Sequence, residues 1–170
     1  MDTPDGQLVT ADDVLLEVQR CLETYLPASA TAAGLAQVTG WAQLPTPEAL
    51  STATFPVGAI TSPGLANSPT RDGQGWNLVW RVAVAVYDRG GDYGETAART
   101  RTWAALVRGV LARHLLEDSQ VAWDVVLVGE EYALRPETSS ARTLGGCAVA
   151  LDVDVRRAVP ITGMSIPHIR

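Results

Sequence analysis

The chain has 170 residues, 46% of them apolar and 19% charged, with a formal net charge of −6. That length and balance suit one soluble domain with a real core, and the longest unbroken apolar run, Val82 to Tyr87, is far short of the roughly twenty residues needed to cross a bilayer. The acidic opening MDTPDG has the character of neither a signal nor a transit peptide, and thirteen basic residues, all arginine and scattered through an acidic chain, exclude a concentrated basic surface for gripping nucleic acid.

Thr10-Ala-Asp-Asp13 has the residue types of a capping box and opens a helix expected to end near Pro27, with Val14, Val18, Leu22 and Tyr25 as its apolar stripe. Residues 28–54 are rich in Ala, Thr and Pro without a clear period, which predicts a long connection anchored by Trp41. Phe55 to Thr61 is a short strand entered through Pro56. Residues 62–75, SPGLANSPTRDGQG, carry two prolines and three glycines and predict a projecting loop. A long strand follows, in which Trp76, Leu78, Trp80, Val82, Val84 and Val86 share one face, and Asn77, Val79, Arg81, Ala83, Ala85 and Tyr87 the other. Asp92 to Glu95 supplies a second cap, and the helix after it aligns Trp103, Leu106, Val107, Val110 and Leu111. Val121 to Val128 reads as a strand with Val121, Trp123, Val125 and Leu127 on one face. Residues 129–145 read as polar and turn-rich. Cys147 to Arg156 reads as the last strand, and 157–170 as an arm without a core pattern.

This order, helix, strand, strand, helix, strand, strand, predicts an α+β fold: a mainly antiparallel sheet of four to five strands with two helices packed on one face. Residues 1–156 form the expected single domain and 157–170 its C-terminal arm.

The chain offers little for catalysis. His114 falls in the last turn of the long helix, where a cationic side chain suits the helix dipole, and His168 lies in the arm with no carboxylate or cysteine at a ligand-like spacing. Asp152 and Asp154 share a strand face, as a carboxylate pair for a metal or for acid–base work would, but the same pattern marks a solvated or subunit-facing strand face. Gly90-Gly91 and Gly145-Gly146 lack the spacing of a dinucleotide fingerprint, and without lysine a P-loop is impossible. Cys21 and Cys147 read as buried reduced thiols. No catalytic residue, cofactor site or metal site is assigned.

The run FPVGAITSPGLANSPTRDGQGWNLVWRVAVAVYDRG, a helix ending VRGVLARHL, then AWDVVLVGEEYA and SSARTLGGCAVALDVDV, resembles the tail-terminator (tail-completion) proteins of long-tailed phages with actinobacterial hosts. The resemblance covers roughly residues 8–157 and rests on element order and loose phrases rather than on one invariant motif. It implies a virion structural protein that assembles on itself, typically as a homohexameric ring, at the neck-proximal end of the tail. The ring would cap the major tail-tube protein, stop its growth and join it to the head connector or stopper protein. DNA would pass through its lumen without specific binding, which an acidic, lysine-free chain would permit. The protein would be made in the host cytoplasm and carry no membrane segment. Candidate interface residues are Arg71, Asp72 and Trp76 at the first loop, Arg135 and Glu137 at the second, and Ile166 and His168 in the arm. The alternatives are another head–tail connector component, such as a stopper or adaptor, and a small cytosolic ligand-binding or enzymatic α+β domain.

Overall fold

The computed structural model describes residues 8–42, 53–117, 119–137 and 141–160. Helix α1 (Ala11–Ala32) leads into a two-residue strand β1 (Trp41–Ala42), then β2 (Val57–Leu65), a second two-residue strand β3 (Thr70–Arg71) and the long β4 (Gly75–Gly90). Helix α2 (Tyr93–His114), β5 (Asp124–Pro136) and β6 (Thr143–Pro160) complete the order. The sheet runs β1-β2-β4-β6-β5, with β3 pairing on β4 beyond the end of β2. Among the described residues only β1–β2 is parallel; β2–β4, β3–β4, β4–β6 and β5–β6 are antiparallel. The expected α+β class is what the chain adopts. The strand count rises to six because two short pairings, β1 and β3, join the four long strands.

Local chemistry explains the helix ends. Thr10 Oγ1 accepts from the Asp13 amide while an Asp13 carboxylate oxygen accepts from the Thr10 amide at 2.7 Å, a complete capping box. The Thr10 amide and hydroxyl, both donating to it, hold the Asp13 carboxyl below its ordinary range. Helix α1 does not stop near Pro27 but continues to Ala32. Leu26 and Ala30 are both buried, so packing on either side of the proline outweighs the one amide bond it removes. The stop comes instead at Gly34, whose φ of 72° suits a residue without Cβ, with Leu35 N–H donating to the Ala30 carbonyl and Gly34 N–H to that of Thr31. In α2 the Asp92 carboxylate caps the Glu95 amide at 2.8 Å.

The core lies between the sheet and the helices. Helix α2 packs over β4, β6 and β5, and α1 lies beside it against β2. Val82, Val84 and Val86 of β4 and Val149, Leu151, Val153 and Val155 of β6 are buried beneath them, with Trp103 of α2 fully enclosed. The approach is closest near the start of α2. A Cβ on Gly90 would come within 2.2 Å of Thr96 Oγ1, and one on Gly145 within 2.2 Å of Thr100 Oγ1. Glycine in the strands thus lets the helix sit down on the sheet. At the far side, the Trp41 ring occupies the space a Cβ on Gly58 would need, so Trp41 does fasten its segment to the body.

Three stretches carry more strand than their composition indicates. Residues 62–75 hold the end of β2 and all of β3, and only the turn Asp72–Gln74 and the residues between Leu65 and Thr70 lie outside the strands, with the Ala66 amide still donating to the Val79 carbonyl at 2.7 Å. Residues 129–136, expected as turn, extend β5, because β6 offers a ladder through Thr143 for them to pair with. Strand β6 runs four residues past Arg156 to Pro160, with Val159 opposite Trp76.

Candidate functional site

Strand β4 lies at the centre of the sheet, and its covered face ends in an unexpected residue. After Val82, Val84 and Val86 the same face presents Asp88, only 3% exposed. Its carboxylate accepts from Arg99 Nε at 3.0 Å and Nη2 at 2.7 Å, from Trp103 Nε1 at 3.0 Å and from the Arg89 amide at 2.8 Å. A buried carboxylate with four donors is satisfied, and it ties α2 to β4. Nothing points from it toward a substrate, so it is an anchor. The period-two apolar pattern does not reveal it, because the apolar alternation stops at Val86 and the next residue on that face is charged.

The other sheet face has no helix upon it among the described residues. Here Arg81 and Asp152, opposite each other on β4 and β6, form a two-pronged ion pair with both N···O distances 2.8 Å. Asp152 is therefore engaged and does not act as one half of a carboxylate pair with Asp154. Asp154 faces Asp124 across β5–β6. Burial first, and that like charge as well, push its carboxyl up, while Arg156 pulls it down. Among the described residues no three His, Cys, Asp or Glu side chains are grouped to hold a metal.

The sequence candidates separate into two groups at opposite ends of the sheet. Arg71 and Trp76 are cross-strand partners on β3 and β4, both exposed, and Asp72 closes the turn beside them by accepting from the Gln74 and Gly75 amides at 2.8 and 2.9 Å. These bonds lower the Asp72 carboxyl and commit it to shaping the turn. Trp76 falls off the covered face because the β4–β6 register shifts between Trp76 and Leu78; Arg157, at φ 54°, donates its amide to Asn77 Oδ1 at 2.8 Å there. Arg135 and Glu137 lie at the other end: Arg135 is level with Arg89 of β4, roughly 43 Å from Trp76 at about 3.3 Å per residue. Arg135 is exposed, whereas Glu137 pairs with Arg89 at 2.7 Å, and that guanidinium also covers the Phe55 ring. Ile166 and His168 lie outside the described residues.

Among the described residues, the longest run of exposed apolar side chains was not among those candidates. Strand β5 is the sheet's edge, and Val126, Leu127 and Val128 are 57%, 36% and 47% exposed in succession, with Tyr132 at 50%. Trp123, expected to share a strand face with Val125 and Leu127, is 44% exposed just before this strand, with the Arg156 guanidinium 3.8 Å above its ring. Val125 of β5 packs on the core, Leu127 and Tyr132 sit opposite the buried Leu151 and Cys147, and Val128 is the residue left without a partner at the register shift between Leu127 and Gly129. The legible signal was the run Val125-Val-Leu-Val128, apolar on both faces of a strand.

The histidine within the described residues lines a cavity. His114 stacks on Tyr25, centroids 4.0 Å apart and planes 9° apart, and its Nδ1 lies 2.8 Å from Glu117. A space of about 370 Å³ beside it is lined by Glu17, Arg20, Cys21, Thr24, Leu115 and Ser119 among others. Cys147, buried under α2, has its thiol pushed up to about 11 by desolvation, which makes it inert. No described helix is long and apolar enough to cross a membrane.

No protein-family model matches the sequence, and no curated protein matches it. Among solved structures the chain is similar to a protein of a virion of native gene transfer agent (GTA) particle, at 14% identity over 85% of this chain and 98% of that one, with a TM-score of 0.34. A likeness of that size carries no argument about function.

Proposed function

We propose that the chain is a virion structural protein, the tail terminator: it assembles as a ring, with six copies expected, caps the tail-tube protein and presents the surface that meets the head connector. The sequence resemblance supports the role. The observation that carries the assembly is where the exposed apolar side chains lie. Trp123, Val126, Leu127 and Val128 lie at or beside one edge strand and Trp76 and Val159 at one end of the sheet, while others, such as Leu16, Tyr93 and Leu116, are scattered over the helices and turns. Contiguous apolar surface of this kind suits protein–protein contact. The deepest-buried charge, Asp88, is spent on rigidity, as a platform subunit requires.

Negative-stain imaging of the purified chain, with and without tube protein, tests the reading. Rings seated on tube ends are the expected result, and a chain that stays monomeric beside uncapped, overgrown tubes would refute it. A stopper or adaptor would form rings that bind the connector but leave tube length unregulated. The cavity beside His114 favours a second reading, a small-ligand domain; a monomer whose melting temperature rises with a polar small molecule and falls back on His114→Ala would select it.

A further inference from the structure

We infer that the free chain pairs with a second copy of itself through β5, edge to edge and antiparallel, about a two-fold axis at Glu130. The two sheets become one, with the helices of both copies on the same side. The inference goes beyond the ring reading: a closed ring joins two different surfaces, whereas this contact joins a surface to itself. Among the described residues no strand pairs with the outer side of β5. Its two sides are set by β6. Val125, Leu127 and Tyr132 lie opposite the buried Val153, Leu151 and Cys147, on the helix side, and Asp124, Val126, Ala133 and Arg135 lie on the other. Yet Leu127 and Tyr132 are 36% and 50% exposed, because α2 reaches β5 only with its flank. Apolar side chains on the helix side of a sheet, but beyond its helix, are what a second copy of the same layer covers.

The edge is complementary to itself in one register. Val128 has no partner on β6 and is left out here too. With the axis at Glu130, Asp124 then meets Arg135, Val125 meets Leu134, Val126 meets Ala133 and Leu127 meets Tyr132, each contact made twice by symmetry. Glu131 meets Gly129, which has no side chain to oppose it. Moving the axis to Gly129 sets Val126 and Leu127 against Glu131 and Glu130, and moving it to Glu131 sets Val126 against Arg135. The two Glu130 carboxylates at the axis are compensated, since each accepts from Arg108 of its own α2 and from the Tyr132 hydroxyl. The helices have room. Helix α2 is centred on β6, so the two copies stand about three strand spacings, roughly 14 Å, apart. Direct helix contact needs roughly 8 to 10 Å, and the Leu127 and Tyr132 pairs lie in the space between. Main-chain bonds along the edge supply affinity, and the matched side chains fix the register.

Sedimentation of the purified full chain should show a dimer at about 100 μM. Asp124→Arg and Arg135→Asp, each setting like charges opposite one another, should weaken it about tenfold or more, and both changes in one chain should restore it to within about threefold. Circular dichroism checks that each variant folds. The register is read by mixing differently tagged Val126→Cys and Ala133→Cys chains under mild oxidation; the native thiols are buried. Mixed disulfides should exceed those from either chain alone by about tenfold or more, because pairing raises the effective concentration of the two thiols. A wild type that sediments as a monomer, a double reversal no tighter than the singles, or Val126→Cys chains that link mainly to themselves each overturns the inference and leaves the ring reading standing. A dimer that links as expected but never caps tubes upholds the inference and overturns the ring.

Discussion

Strands β4 and β5 flank the same neighbour, β6, and both are rich in valine, yet their apolar side chains have opposite fates. Val82, Val84 and Val86 are at most 1% exposed, while Val126 and Val128 are about half exposed. Composition does not separate them. Position does: β4 has a strand on each side and α2 above it, whereas β5 has one neighbour and the flank of α2. A valine under a helix contributes to stability, and the same valine on an edge is free to contribute to association.

The contrast can be broken first on the β4 side. Asp88→Ala should destabilise the fold by about 3 to 5 kcal/mol, because it removes the acceptor of the Trp103 indole N–H and of Arg99 Nε and Nη2, leaving Arg99 only its 3.5 Å contact with Glu95; urea unfolding measures it, and a change under about 0.5 kcal/mol would mean that the carboxylate anchors nothing. The Cys147 thiol sharpens the picture through pH. Its pKa is raised from 9.0 to about 11 in the fold. Its contribution is therefore complete below pH 9 and is lost as pH rises toward 11, because the unfolded chain ionises first; the loss is up to roughly 3 kcal/mol. Wild type should lose stability over that window more steeply than Cys147→Ala, and parallel curves would contradict the burial argument.

Gly145→Ala should cost about 2 kcal/mol by driving a methyl into Thr100, and Thr100→Ala should recover part of it in a double-mutant cycle. Strict additivity would show that α2 and β6 do not meet there. Thr10→Ala should cost about 1 kcal/mol by removing half of the capping box, seen as a small fall in midpoint and faster amide exchange in the first turn of α1. Smallest is Val126→Lys, under about 0.5 kcal/mol of subunit stability for an exposed site. A large thermal shift would place Val126 in the core after all.

Much of the scaffold was legible because its signals are local. The capping residues Thr10, Asp13 and Asp92 act within three positions of themselves, and the valines of β4 alternate at the period a strand demands. Other features were not local. The end of α1 depends on Gly34 and on the burial of Leu26 and Ala30, so the proline was a misleading stop. The extent of β5 depends on β6 offering a partner through Thr143, and residues 129–136 contain nothing in themselves that demands a strand. Of the interface candidates, Arg71, Asp72 and Trp76 come together at one turn, and Glu137 proves to be tied to Arg89.

By itself the sequence determined the α+β class, the two caps, and the apolar faces of β4, β6 and α2. These follow from spacing along the chain, where each residue's partner is a few positions away. Only the tertiary structure decided which valines are covered, that Asp88 is held by Arg99 and Trp103, that Asp152 belongs to Arg81, and that β5 is the open edge. Each of those depends on contacts between residues far apart in the chain, because burial and pairing are properties of what packs against a side chain and not of the side chain alone.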